Sequence, residues 1–436
     1  MTSKPKPNLG VIFLGHVDCG KSTIIGHLGF LTGSVTKKQM DKCEKESREG
    51  GKESFKYAWV VDKTRHERSR GLTTISSVLN LELTTKSVTT VNVPGLANFL
   101  PKLMERVFHT EVAVLVVSAA EGEFESGIST NGQTKDHLRI ASSFGVEQIV
   151  VVVNKMDDRN VKYSFKRYRE VKTKTMRLLE SNGYCANDVP FIPISGWCGD
   201  NLTENSTKMG WYTGETLLST IESMHVPFKY ADLPLRIPIL NVFNISGLGT
   251  VPIGRIEFGK LEVNQVVKFG PTNTSGQVLS IQSFGKSKLV AYPGDEIGFH
   301  VKDATKKEIK KGMVAGDLEN DPPSRVSSFQ AKITLLNASP SLTINSKPRL
   351  FVHTLSCICN VDTMLQLLNP ESADEILKKK PSVLNGGDTA IVVLKPQAPI
   401  CVEPFDRYPK LGRFMLMMSK KLIGYGIIKS VTKAEN

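Results

Sequence analysis

The sequence predicts an α/β domain with a doubly wound, mostly parallel sheet, followed by antiparallel all-β modules, either barrels or sandwiches. Two observations carry this. From Leu9 to about Phe228, short aliphatic runs alternate with helix-like stretches, the pattern of strands buried on both faces beneath helices. From Leu235 onward the segments are brief, alternating and punctuated by glycine and proline. With 436 residues, the chain has room for about three domains of ordinary size.

The strand candidates of the first part are Leu9–Leu14, Val88–Val91, Val112–Val117, Ile149–Val153 and Phe191–Ile194. Each is followed by a turn-forming or polar segment, so the polar residues collect at one sheet edge, where ligands sit in a doubly wound fold. After the first strand comes Gly15-His16-Val17-Asp18-Cys19-Gly20-Lys21-Ser22, which fits G-x-x-x-x-G-K-[ST], then a helix predicted from Ser22, with Thr23 in its first turn, to about Leu31. In such a loop the glycines let backbone N–H groups wrap phosphates, the helix N-terminus adds positive potential, Lys21 reaches the β/γ oxygens, and Ser22 can ligate Mg²⁺. Asn154-Lys155-Met156-Asp157 follows the fourth strand, where a purine would lie. An aspartate carboxylate there accepts from both N1–H and the exocyclic amine of guanine, a donor pair adenine lacks. Ser195-Gly196-Trp197, after the fifth strand, is placed to close the base pocket with backbone amides.

In the second part, Leu261–Phe269 and Ala331–Leu336 read as strands, Tyr292-Pro293-Gly294-Asp295 as a turn, and Asn320-Asp321-Pro322-Pro323-Ser324 as a linker between two pieces. The 56 Lys+Arg against 43 Asp+Glu give +13, which favours an anionic partner. Lys306-Lys307, Lys310-Lys311 and Lys378-Lys379-Lys380 read as solvated faces, and Lys162 to Lys172 as a surface helix. The seven cysteines are scattered and never in C-x-x-C spacing, which fits free thiols in a reducing compartment. Cys357 and Cys359 share one face of a predicted strand and read as core thiols. No apolar run is long enough to span a bilayer, and the start at Met1-Thr2-Ser3-Lys4 has no leader character, so a cytoplasmic protein is expected.

Further stretches match a known family: Phe55-Lys56-Tyr57-Ala58-Trp59-Val60, Gly122 to Thr134, Ile194 to Asn201, Gly249 to Arg255, and Tyr408 to Phe414. Together with the three motifs they make the chain resemble the elongation factor 1-alpha family, translational GTPases that deliver aminoacyl-tRNA. The resemblance runs nearly the whole length. It implies an α/β P-loop GTP-binding domain (residues 1–230) followed by two antiparallel β-barrel domains (231–324 and 325–436). It also implies GTP or GDP with Mg²⁺ as cofactors. The phosphate-loop residues 15–23, Asn154, Lys155, Asp157, Ser195, Gly196 and Trp197 would hold nucleotide, and Ser22 and Thr73 the metal. The implied partners are aminoacyl-tRNA, the ribosome and a nucleotide exchange factor, and family members also associate with actin filaments and microtubules.

The departures are specific. The family's first switch is kept as Arg70-Gly71-Leu72-Thr73, but its second switch, D-x-P-G-H, reads Asn92-Val93-Pro94-Gly95-Leu96. An amide at 92 brings no charge to balance a cation, and Leu96 has no donor or acceptor to orient the attacking water, so no catalytic group of the family is intact. Hydrolysis should be weak or absent, by roughly 10²–10⁴-fold, unless the ribosome or a residue such as His16 supplies the missing group. Where the family carries M-H-H-E, at its aminoacyl end, this chain has Ser283-Phe284-Gly285-Lys286, and R-D-M-R-Q-T is replaced by Met417 to Leu422. The final Val431 to Asn436 carries no lysine-rich tail. Two readings stay open: a divergent elongation factor that delivers aminoacyl-tRNA, or a repurposed paralog serving as a nucleotide-stabilised scaffold, for example on the cytoskeleton.

Overall fold

Every residue of β1 (Asn8–Leu14) is buried, as expected of a run of aliphatic side chains in the middle of a sheet. The computed structural model describes residues 6–129, 132–226, 230–369, 372 and 375–434. The leader reading of Met1–Pro5, Thr130 and Asn131 of the matched stretch, and the end at Glu435 and Asn436 lie outside these. Two compact units form, Met1–Pro227 and Phe228–Asn436.

In the first unit, β1 is followed by α1 (Lys21–Leu31), α2 (Lys37–Glu49), α3 (Arg65–Arg70), β2 (Ser77–Glu82), β3 (Ser87–Asn92), α4 (Leu100–Val107) and β4 (Val112–Ser118). Then come α5 (Glu123–Ile128), α6 (Gln133–Ser143), β5 (Gln148–Asn154), α7 (Phe165–Glu180), β6 (Phe191–Pro193) and α8 (Leu217–Ser223). The sheet order is β2-β3-β1-β4-β5-β6, parallel except for the antiparallel edge strand β2. The five predicted strands all form. β2 was not expected: its polar-interrupted Ser77-Val78-Leu79-Asn80-Leu81-Glu82 is half-exposed and lacks the continuous aliphatic run of the inner strands. β6 stops at Pro193, one residue earlier than expected, and α1 begins at Lys21, one earlier. The basic stretch enters α7 only at Phe165, because Lys162 and Tyr163 both have positive φ, and Tyr168 and Val171 bury that helix's inner face. The sheet's aliphatic side chains pack with Ile24, Ile25 and Leu28 of α1 into one core, which fixes the loop between β1 and α1.

The second unit contains β7 (Ile237–Ile245), β8 (Gly249–Arg255), β9 (Leu261–Glu262), β10 (Val266–Gly270), β11 (Ser275–Ser283), β12 (Lys286–Lys288), β13 (Val290–Ala291), β14 (Glu296–Lys302) and β15 (Val314–Asp317). It continues with β16 (Val326–Leu335), β17 (Leu342–Thr343), β18 (Arg349–Val352), β19 (Leu355–Leu368), β20 (Ile376–Lys379), β21 (Val383–Leu384), β22 (Thr389–Pro396), β23 (Arg413–Met418) and β24 (Lys421–Lys433). The order β10-β15-β7-β8-β14-β11 closes through β10–β11, and β18-β23-β24-β16-β22-β19 closes through β18–β19. Both are therefore closed antiparallel barrels, each with its own apolar core. The run Leu261–Phe269, expected as one strand, is split into β9 and β10 by Asn264, which takes a left-handed turn at φ 73°.

The segment 320–324 is pinned. Asp321 accepts from Arg236 Nη2 at 2.8 Å and Tyr408 Oη at 3.0 Å, while Arg236, 1% exposed, also pairs with Glu403 at 2.7 Å. Cys357 and Cys359 are buried in the second barrel's core, their sulfurs 3.7 Å apart. Among the described residues no helix is long and apolar enough to cross a membrane.

Candidate nucleotide-binding site

The strand-to-helix turn after β1 is shaped by residues that tolerate left-handed backbone: Asp18 at φ 60° and Gly20 at φ 96°. A side chain at Gly20 would also strike the carboxamide of Asn154, so glycine is required there on both counts. α1 starts at Lys21 with no acidic residue in its first turn, leaving the positive end of the helix aimed into a cleft of about 320 Å³. Lys21 is buried, and its ammonium donates to the carbonyls of Gly15 at 2.9 Å and His16 at 2.5 Å. Gly95 approaches so closely that a Cβ there would lie 2.8 Å from Lys21 Nζ.

Val17, Asp18, Gly20, Lys21, Ser22 and Thr23 line this cleft, as do Thr73, Leu96, Asn154, Lys155, Asp157 and Trp197. Gly15, His16, Cys19, Asn92, Ser195 and Gly196 are not among the residues that line it. His16 turns away: its Nδ1 accepts the Gln133 N–H at 3.4 Å, and the ring faces Gly127 rather than the phosphate end. Burial, and then the Lys21 charge, lower its pKa. Behind the loop, the fully buried His137 accepts the Gly15 N–H at 3.2 Å and is pushed down to about 3 by desolvation and the neighbouring Lys21 and His16 charges. Cys19 is buried, its sulfur 3.6 Å from the Lys21 ammonium.

Asn154 is a strut between two loops. Its Nδ2 donates to Cys19 O and its Oδ1 accepts the Gly196 N–H, each at 2.8 Å. The Ser195 N–H goes to Asp200 O at 3.1 Å, while Ser195 Oγ accepts the Cys198 N–H at 2.9 Å. The amides of Ser195 and Gly196, expected to close over the base, are thus engaged in shaping the loop. Lys155 pairs with Glu123 at 2.7 Å, and the half-exposed Trp197 ring lies edge-on to Tyr57, which stacks on His27 at 3.9 Å. Asp157 lines the cleft beside Lys155 and Asp158.

At the phosphate end, Ser22 Oγ and Thr73 Oγ1 lie 3.0 Å apart. Between them sits a residue the sequence reading missed. Asp62, 6% exposed, accepts the Thr73 hydroxyl at 2.9 Å, and burial pushes its carboxyl up to about 6 despite that bond. Its sequence signal was a carboxylate directly after the apolar Val60-Val61, eleven residues before Thr73. Asn92 is buried, its Nδ2 directed at Ser22 Oγ (3.0 Å) and Asp62 Oδ1 (3.5 Å), its Oδ1 unpartnered. The segment carrying Thr73 is itself held. Glu67, 3% exposed, accepts the N–H groups of Thr74 at 2.9 Å and Ile75 at 2.8 Å, and the Thr64 hydroxyl at 2.7 Å. Burial alone would raise its pKa, but these donors outweigh burial and lower it. Lys102 adds a bond to Thr74 O at 2.6 Å. Leu96 lines the cleft together with Val17 and Leu72, and its side chain carries no hydrogen-bonding group.

The model of the elongation factor Tu GTP binding domain matches residues 6–228, that of elongation factor Tu domain 2 residues 249–316, and that of the GTP-eEF1A C-terminal domain-like family residues 328–429. Elongation factor 1-alpha of Euglena gracilis is 41% identical over 99% of this chain and 97% of its own length. The Aeropyrum pernix protein is 40% identical over 99% and 98%, and that of Saccharomyces cerevisiae 39% identical over 99% and 96%. Among solved structures, the GTP-bound GTPase-like domain of Saccharomyces cerevisiae Ski7 superposes with a TM-score of 0.81 at 18% identity over 97% of both chains, a likeness of fold. An α/β phosphate-loop domain with two closed barrels, matched along nearly its whole length at about 40% identity, places the chain in the elongation factor 1-alpha family of translational GTPases.

Proposed function

We propose that this chain is a guanine-nucleotide-holding member of the family that binds GTP in the cleft, hydrolyses it slowly, and acts with the translation machinery in aminoacyl-tRNA delivery. The observation that carries the slow-hydrolysis reading is the lining of the phosphate end. Leu96, where the family has histidine, lines the cleft with no polar atom on its side chain, and His16, the imidazole of the phosphate loop, faces Gly127 and the Gln133 amide instead. Phosphoryl transfer relies on positioning and electrostatics, so water that lacks the family's orienting imidazole reacts slowly. The loop amides and Lys21 hold the phosphates, and Asp157 selects guanine by accepting from its N1–H and amine.

The oxygen set at the phosphate end fits Mg²⁺: two hydroxyls, the Asp62 carboxylate, and the buried, unpartnered Asn92 Oδ1. Ser22 and Thr73 would ligate the ion, with Asp62 supplying the one carboxylate. When bound, Mg²⁺ neutralises charge on the β- and γ-phosphates.

The test is single-turnover hydrolysis of bound GTP by the natural chain and by Asn92→Asp/Leu96→His. The double variant should be faster by about 10²–10⁴-fold; equal rates refute the reading. The scaffold alternative draws on one observation. The stretch expected to hold the aminoacyl end is a two-residue turn between β11 and β12, with Phe284 at φ 46° and exposed, and Gly285 at φ 78°. Protection of the aminoacyl ester of charged tRNA against spontaneous hydrolysis, with a non-hydrolysable GTP analogue, separates the two. Protection supports delivery, and unprotected ester with bound nucleotide supports the scaffold.

A further inference from the structure

The basic stretch that enters α7 carries more than solvating charge. Tyr168, Val171, Thr175 and Leu179 are buried, which turns Lys166, Arg169 and Arg177 outward and leaves Lys172 half-buried at the flank. Among the described residues, none of these four cations is paired with a carboxylate. Arg167 and Lys174, on the other flank, are neutralised: Arg167 by Glu125 and Glu170, Lys174 by Glu170. The unpaired charges therefore gather on one side of the helix.

An aromatic ring stands in the same row. Phe165, Arg169, Lys172 and Met176 follow one another at i, i+4, i+7 and i+11, a single stripe of a helix. Phe165 is 49% exposed, the one large apolar side chain of α7 that is exposed. Its ring lies against Trp211 with centroids 5.2 Å apart. Trp211 packs in turn on Tyr168 at 5.1 Å, and its indole N–H donates to Tyr163 O at 3.0 Å, so the exposed ring rests on a fixed base. The backbone that delivers it is strained, since Lys162 and Tyr163 take φ 47° and 57° in succession and neither is glycine. Lys172 lies over the Phe191 ring at 5.2 Å, which holds its ammonium beside the stripe.

An acidic peptide would use the cations and leave the ring idle. A lipid surface calls for several protruding apolar side chains, and this face offers Phe165 alone. A duplex hides the faces of its bases. A single strand of nucleic acid uses both features, its phosphates on a row of cations and a base stacked on an aromatic ring.

We propose that this face of α7 binds single-stranded nucleic acid, with phosphates on Lys166, Arg169, Lys172 and Arg177 and a base on Phe165. No residue of α7 lines the nucleotide cleft, so the site stands independently of the nucleotide reading.

The experiment measures fluorescence anisotropy of a labelled oligouridylate of about twelve nucleotides, titrated with the full chain over a range of KCl concentrations. Four phosphate contacts on a single strand predict a slope of log affinity against log salt of about −3, and Arg169→Gln/Lys172→Gln, which removes two of them, should bring it to about half. Phe165→Ala should weaken binding about tenfold or more with the slope unchanged, because stacking is not ionic. Binding that none of these substitutions alters overturns the proposal. So does a loss from the double charge variant with none from Phe165→Ala, which would mark the face as a dock for an acidic protein. The natural chain supplies a test without variants: an RNA duplex or an oligoglutamate of equal length should compete at least about tenfold more weakly than the unlabelled single strand, and equal competition by either refutes the assignment.

Discussion

Replacing Asp62 by asparagine should stabilise the nucleotide-free protein at neutral pH and leave its stability near pH 4 almost unchanged. The Asp62 carboxyl is 6% exposed, and burial raises it from 3.8 to about 6 against the opposing bonds from Thr73 and Ser22. The unfolded chain ionises it near the ordinary value, so between about pH 4 and 6 the folded state binds more protons than the unfolded one. Stability therefore falls as pH rises through that window and levels off above it. A displacement from 3.8 to about 6 amounts to about 3 kcal/mol at 1.36 kcal/mol per pH unit. Asparagine keeps the shape and an oxygen for the Thr73 hydroxyl but carries no charge to desolvate. Chemical denaturation of both proteins in EDTA, at pH 4 and pH 7, isolates the effect, because every other titrating group is shared. The variant should gain up to about 3 kcal/mol at pH 7 relative to its difference at pH 4. A difference between variant and parent that is the same at both pH values refutes the argument. If the gain is found, Asp62 is a carboxylate kept at a cost to stability, as ligand-binding groups commonly are.

Glu67→Ala should free the Thr73 segment: two backbone N–H groups lose a charged acceptor, and amide exchange at Thr74 and Ile75 should accelerate by about 10²–10⁴-fold. Because the Glu67 pKa is lowered in the folded state, the parent's protection there is present above the ordinary carboxylate range and is lost as pH falls through the folded value; exchange indifferent to acid would contradict this. Asp157→Asn should weaken guanine nucleotides and favour xanthine nucleotides, reversing preference by at least about 10²-fold in competition binding. Asp321→Ala removes one of the two carboxylates from the buried Arg236 and should cost about 3 kcal/mol in the unfolding of the second unit by urea. An unshifted midpoint there would mean that Glu403 alone satisfies the guanidinium.

The fold and the phosphate loop were legible because their signals are contiguous. An eight-residue loop, an apolar run and a helix start each depend on neighbours in sequence, and Gly15 to Ser22 folds as those neighbours dictate. What depended on distant contacts was not legible. Asp62 gains its role from Thr73, eleven residues on, and from Asn92, thirty residues on. The direction of the His16 ring is set by Gln133, across the sheet edge. Strand β2 pairs on one side only and so never needed the apolar run that marks inner strands. The break at Asn264 turns on one residue's tolerance of positive φ, which an alternating pattern does not encode.

The Asn154 carboxamide has a consequence for what the cleft can weigh. By gripping Cys19 O with one end and the Gly196 amide with the other, it fixes the span between the loop after β1 and the loop after β6, the proposed places for phosphates and purine. A nucleotide engages both places as one tethered molecule, so the second contact forms at high effective concentration. Guanosine and inorganic triphosphate, offered as separate pieces, forfeit that gain. On the proposed nucleotide reading the cleft would act as a length gauge, penalising a ligand with the right ends at the wrong separation.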